Sequence, residues 1–105
     1  MRYDFNILEN RIQELKEEGR IRDALRIYFF MADGDLSLDA GYLGLKIAEC
    51  YEALGEPYAA KYWYGRAVEE GAGAWRDASE ARDRLEHTVT IDDLIPREKY
   101  IVGGS

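Results

Sequence analysis

The chain repeats itself at a spacing of 36 residues, and that spacing limits its fold more than any other feature. Gly19 and Gly55 are 36 positions apart (55 − 19), and the same shift brings Ala24 onto Ala60, Tyr28 onto Tyr64, Leu15 onto Tyr51 and Ile12 onto Ala48. A period of this length holds one pair of helices joined by a tight turn. Such a unit cannot bury its apolar face alone and must stack on a neighbour. Glycine suits the reversal, alanine lets two helix axes approach, and an aromatic four residues later fills the groove beside it.

Apolar residues recur at helical steps through both copies. Phe5, Leu8, Ile12 and Leu15 share one face of a first helix, which Asp4 can cap and Gly19 can end. A second helix runs from near Arg20 through Ile21, Ala24, Leu25, Ile27, Tyr28 and Met31, and stops in the turn formers Ala32 to Asp35. Ser37 or Asp39 is placed to cap a third, which carries Tyr42, Leu43, Leu45, Ile47, Ala48, Tyr51 and Leu54. Pro57 opens a fourth, where its missing N–H costs nothing, and Gly71 to Gly73 closes it. A more polar fifth helix holds Trp75, Ala78, Ala81 and Leu85. Beyond His87 the helical period ceases, and Thr88 to Ile91 alternates as a strand or extended arm would.

The run from Ala48 to Ala67, with Tyr51, Gly55, Ala60 and Tyr64 at its fixed positions, resembles the tetratricopeptide repeat. Lys61 to Gly71 is also similar to the second helix of Sel1-like repeats, a related architecture. The first copy is more degenerate, departing from the pattern at Arg11 and Phe30. The resemblance spans roughly residues 3–87 and implies an all-α fold: a tandem helix-turn-helix array of five helices, about two and a half repeats. Residues 1–87 form the repeat domain and residues 88–105 an extended or flexible C-terminal arm.

Family members line a concave groove with the first helix of each pair. On that register Asn6, Glu9, Gln13, Lys16 and Glu17 fall in the groove, with Tyr42, Leu45, Glu49 and Glu52 from the second repeat and Arg76 from the fifth helix. Relatives that clamp a C-terminal carboxylate present Lys, Asn and Arg there; this chain has Glu9, Gln13, Lys46, Arg76 and Glu80, so that clamp is largely missing. The implied groove is acidic, centred on Tyr42 and Leu45, and suits a basic or amphipathic peptide. The bland alternative is an ordinary solvated face.

A second surface is set by the run Tyr28 to Met31, whose bulky groups encircle a helix that buries only part of its circumference. Phe29 and Phe30 align with Gly65 and Arg66, so the repeat core has no place for both; with Trp63 they form a candidate apolar interface. Either the arm folds back over them through Ile91, Leu94, Ile95 and Tyr100, or a protein covers them. The arm also has the composition of a short docking segment.

Chemistry finds little support. His87 has no second His or Cys at ligand spacing, so no metal site is expected. Adjacent carboxylates such as Glu17 and Glu18 point about 100° apart on a helix, and Gly71 to Gly73 is too short for a phosphate loop. No catalytic residue and no cofactor are expected. Cys50, the lone cysteine, reads as a buried thiol.

A formal net charge of −7 opposes direct nucleic-acid binding, and no apolar run reaches the roughly 20 residues of a membrane helix. A cytoplasmic location is the default in the absence of a secretory pattern at the N-terminus. The leading expectation is a non-enzymatic adaptor or assembly module. The alternatives are a homodimer built on Phe29, Phe30 and Trp63, an acidic inhibitor of a basic enzyme, and a chaperone.

Overall fold

The computed structural model describes residues 4–33, 39, 41–71 and 76–100. These residues form six helices: α1 (Phe5–Glu17), α2 (Ile21–Ala32), α3 (Tyr42–Ala53), α4 (Pro57–Gly71), α5 (Arg76–Glu86) and the single turn α6 (Arg97–Tyr100). Each of α1 to α4 packs on the next helix in sequence, giving an elongated stack measuring 51 × 28 × 21 Å. The all-helical repeat expected from the 36-residue period is the observed architecture.

The two inter-helix turns are copies of one another. Gly19 and Gly55 adopt left-handed backbone at φ 76° and 73°. The amide of Arg20 donates to Leu15 O at 2.8 Å and that of Gly19 to Lys16 O at 3.0 Å. Glu56 to Tyr51 O at 2.9 Å and Gly55 to Glu52 O at 3.0 Å repeat the pattern. Two orphan carbonyls at each helix end are satisfied by this crossed pair of bonds. Only a residue with no Cβ takes that backbone without strain, which is why glycine marks the period.

Asp4 caps α1, accepting from the amides of Asn6 and Ile7 through its carboxylate. The start of α3 differs from expectation. Gly41, left-handed at φ 94°, holds its N-cap position and no side chain caps it; Tyr42 N donates to the backbone carbonyl of Asp39. Ser37, the other expected cap, lies outside the described residues, as do Trp75 and residues 72–74.

Two apolar clusters run through the stack. Ile12 and Leu15 of α1, Ala24, Leu25, Tyr28 and Met31 of α2, and Leu43, Ile47 and Cys50 of α3 form the first. Leu45, Ala48, Ala60, Tyr64, Ala67, Ala78 and Leu85 form the second, across α3, α4 and α5. Trp63 and Tyr51 pack against both and join them. The small residues do what the repeat demands: Ala24, Ala48, Ala60 and Ala67 are fully buried. Gly44 permits the closest approach, since a Cβ there would lie 3.3 Å from Ala67 N and 3.4 Å from Trp63 O.

The arm requires a correction. It is not extended in its described part: Val89 N donates to Leu85 O at 2.7 Å, continuing the end of α5, and Leu94 N and Ile95 N both donate to Ile91 O. Pro96 then leads into α6. A lone strand at 88–91 would leave its amides without a ladder; instead the amides of Thr88 and Val89 donate to Leu85 O, and the turn at 91–95 satisfies those of Leu94 and Ile95. The apolar side chains face outward instead of clamping the repeat. Ile91 and Ile95 are exposed and Leu94 is 82% exposed, whereas Val89 alone packs on the second cluster. The side chain of Tyr100 and residues 101–105 lie outside the described residues.

Candidate functional site

The α1/α3 face carries the residues expected in the groove, and most of its charges are already partnered. Tyr42 OH donates to Glu9 Oε1 at 3.0 Å, joining α3 to α1, while Lys46 Nζ sits 5.7 Å above the Tyr42 ring and pairs with Glu49 at 3.4 Å. Burial, and then the hydrogen bond to Glu9, push the Tyr42 hydroxyl up to about 12. Glu52 accepts from Tyr64 OH at 2.7 Å and pairs with Arg84 of α5 at 2.6 Å. The Tyr64 hydrogen bond, then Arg84, hold the Glu52 carboxyl below the ordinary glutamate range. Arg76 pairs with Glu80 at 3.2 Å. Asn6 and Gln13 stand exposed on α1.

Leu45 is a correction to the groove set. It is buried in the second cluster against α4 and α5, so it holds helices together and offers nothing to a peptide. Helix positions 42 and 45 are three residues apart and nearly share a face, but only the latter is buried, inside the cluster that α3 forms with α4 and α5.

The aromatic residues divide into two places. Phe29 of α2 meets Trp63 of α4 edge-on at 5.6 Å and lies 6.4 Å from the Tyr51 ring. Tyr62 continues the row, edge-on to Trp63 at 5.3 Å. Arg66 lies 5.9 Å from the Trp63 ring and donates to Tyr62 OH at 3.4 Å, fixing the end of the row. The result is a ridge over the α2–α4 seam in which Phe29 is 37% and Tyr62 57% exposed. Phe30 does not belong to it. It is 47% exposed and lines a depression between α1 and α2 with Leu8, Ile27, Arg11 and Arg26. Adjacent helix residues point about 100° apart, which separates Phe29 from Phe30. Nor does the described part of the arm cover either phenylalanine; it lies beside Tyr58 and Lys61 at the start of α4.

Tyr58, 64% exposed, is the surface aromatic that sequence reasoning missed; Tyr62 stands out in the sequence beside Trp63 as a milder case of excess aromatics. A signal existed: Tyr58 and Tyr62 fall four residues apart on the face of α4 opposite Ala60, Tyr64 and Ala67. Among the described residues no cluster of three or more His, Cys, Asp and Glu is arranged to hold a metal ion, and no helix is long and apolar enough to cross a membrane. Cys50 is buried in the first cluster, where desolvation pushes its thiol up, away from the reactive thiolate. Compared with known proteins, the chain matches no family model, no curated protein and no solved structure.

Proposed function

We propose that this chain is a non-catalytic, tetratricopeptide-like module of the cytoplasm that binds another protein, with the α2–α4 aromatic ridge as its principal contact. The observation that carries the reading is the Phe29–Trp63–Tyr62 row: three edge-packed rings, two of them well exposed, held rigid by the helices beneath. Rigid aromatic side chains bury large areas at small entropic cost, and such groups dominate binding energy at protein interfaces. The α1/α3 face plays a secondary part. Its carboxylates Glu9 and Glu52 already accept hydrogen bonds, so recruiting them means breaking existing contacts. The net charge of −7 favours a partner with basic flanks, through faster encounter more than through tighter contact.

The test is capture of a stoichiometric partner from native lysate by the full chain and by Phe29→Ala and Tyr62→Ala. Each variant should lose at least about tenfold in affinity, the loss typical of an interface hot spot. Helicity by circular dichroism should be retained, because neither side chain belongs to the buried clusters, and it checks that both variants remain folded. Undiminished capture by both variants, with loss in Gln13→Ala or Glu49→Lys, would move the binding surface to the α1/α3 face.

A further inference from the structure

A second depression, chemically unlike the ridge, lies between α4 and α5. Tyr58 and Tyr62 wall it, Lys61, Arg66 and Arg82 supply three cations, and Glu69 is the one carboxylate among its lining residues. Its floor is open because of Gly65: a Cβ there would meet only Arg82 Cδ at 3.7 Å. The first repeat has Phe29 at the equivalent position. Arg66 pairs with Glu70 at 3.6 Å and Arg82 reaches Asp83 only at 3.9 Å, the outer limit of an ion pair. Tyr58 is 64% exposed and Tyr62 nearly as much. An acidic chain has therefore gathered cations around two exposed rings, the reverse of its overall charge.

The complement to that groove is carried on the same chain. The turn at 91–95 presents Leu94, the most exposed large apolar residue described, beside Asp92 and Asp93, with Ile91 and Ile95 flanking them. Ile91 lines a shallow depression with Tyr58 and Lys61, so the acidic turn sits next to the cationic groove while its leucine stays in solvent. A knob and a complementary groove side by side on one surface meet the requirement of a two-fold contact, in which each copy gives what it receives.

We propose that two copies of this chain associate by reciprocal exchange: the 91–95 turn of each seats in the α4–α5 groove of the other. Leu94 enters between Tyr58 and Tyr62, and Asp92 and Asp93 face Lys61 and Arg82. The contact is centred away from Phe29 and Trp63 and overlaps the aromatic ridge at Tyr62 and Arg66. It also differs from a dimer built on Phe29, Phe30 and Trp63. Two small reciprocal contacts place it among weak, salt-sensitive associations.

Sedimentation equilibrium on the full chain, from about 5 to 500 micromolar protein, gives the first readout. A monomer–dimer equilibrium is expected, shifting toward monomer as salt rises. The decisive experiment is a charge swap. Lys61→Glu/Arg82→Glu reverses the groove and Asp92→Lys/Asp93→Lys reverses the turn; each variant alone should dimerise at least about tenfold more weakly. Mixed in equal amounts they should form a one-to-one heterodimer, since both exchanged contacts are again complementary. All four positions are on the periphery of the fold, and unchanged helicity checks that the variants remain folded. Leu94→Ser, which leaves every charge in place, should weaken the dimer as well. A chain that is monomeric throughout, variants that dimerise normally, or a mixture that stays monomeric would each overturn the exchange. Phe29→Ala should leave dimerisation intact, so failure of the exchange is distinguishable from failure of the ridge.

Discussion

Removing one hydroxyl should stabilise the first repeat and destabilise the second, although the two tyrosines occupy the same repeat position. Tyr64 OH donates to Glu52 at 2.7 Å, and Glu52 is further held by Arg84. Tyr28 OH is buried with no hydrogen-bond partner. The cause is visible 36 residues upstream of Glu52: position 16 is lysine, whose ammonium lies 5.8 Å above the Tyr28 ring and cannot accept a proton. A hydrogen bond to a charged acceptor contributes about 1.5–3 kcal/mol. Glu52 keeps Arg84 and its side chain is 33% exposed, so Tyr64→Phe should cost about 1–2 kcal/mol. Tyr28→Phe keeps the ring and removes an unsatisfied polar atom, so it should be neutral or stabilising by up to about 1 kcal/mol. At roughly 4–8 °C per kcal/mol for a domain near this size, the two melting temperatures should part by about 4–24 °C. Thermal unfolding followed at 222 nm measures the difference. In a Lys16→Gln background the new amide oxygen can accept from Tyr28, and Tyr28→Phe should then become destabilising. Equal losses in both single variants would refute the reasoning, because they would mean that Tyr28 OH has an acceptor.

Three further expectations test the stack. Gly44→Leu, which gives α3 the residue that α1 carries at Leu8, should cost about 2–3 kcal/mol or more, since the added atoms meet the backbone of Ala67 and Trp63; denaturant midpoints check it. Gly19→Ala and Gly55→Ala meet no neighbour within 4 Å, so each should lose about 1 kcal/mol from backbone strain alone, and unequal losses would show that packing contributes. The pH profile should fall at both ends. Glu52, held below the ordinary glutamate value, contributes stability above that value and loses it as pH falls through its folded value; Tyr28, Tyr42 and Tyr64, all raised, contribute stability below the ordinary tyrosine value of about 10 and lose it as pH rises through theirs, about 12 for Tyr42. Absorbance at 295 nm alongside circular dichroism should therefore show delayed tyrosine ionisation coinciding with alkaline unfolding.

Local chemistry alone determined the helical array. Gly19 and Gly55 must reverse the chain with left-handed backbone, and Ala24 and Ala60 must sit where axes cross; both requirements depend on near neighbours and on a period that sequence displays directly. The buried thiol at Cys50 and the Asp4 cap follow for the same reason. Surface assignments depended on something a single strand of letters does not contain, namely which neighbour covers a given face. Leu45 and Tyr42 look alike in the helical pattern until the second cluster encloses the first and Glu9 engages the hydroxyl of the second. Phe29 and Phe30 are adjacent in sequence, yet Trp63, 34 residues away (63 − 29), gathers only one of them into the ridge. The arm reads as extended from its alternation, but without a partner strand its amides turn inward on their own carbonyls. Period and propensity act over a few residues and so are written in the chain; exposure is a property of the packed neighbours, and only the tertiary structure decides it.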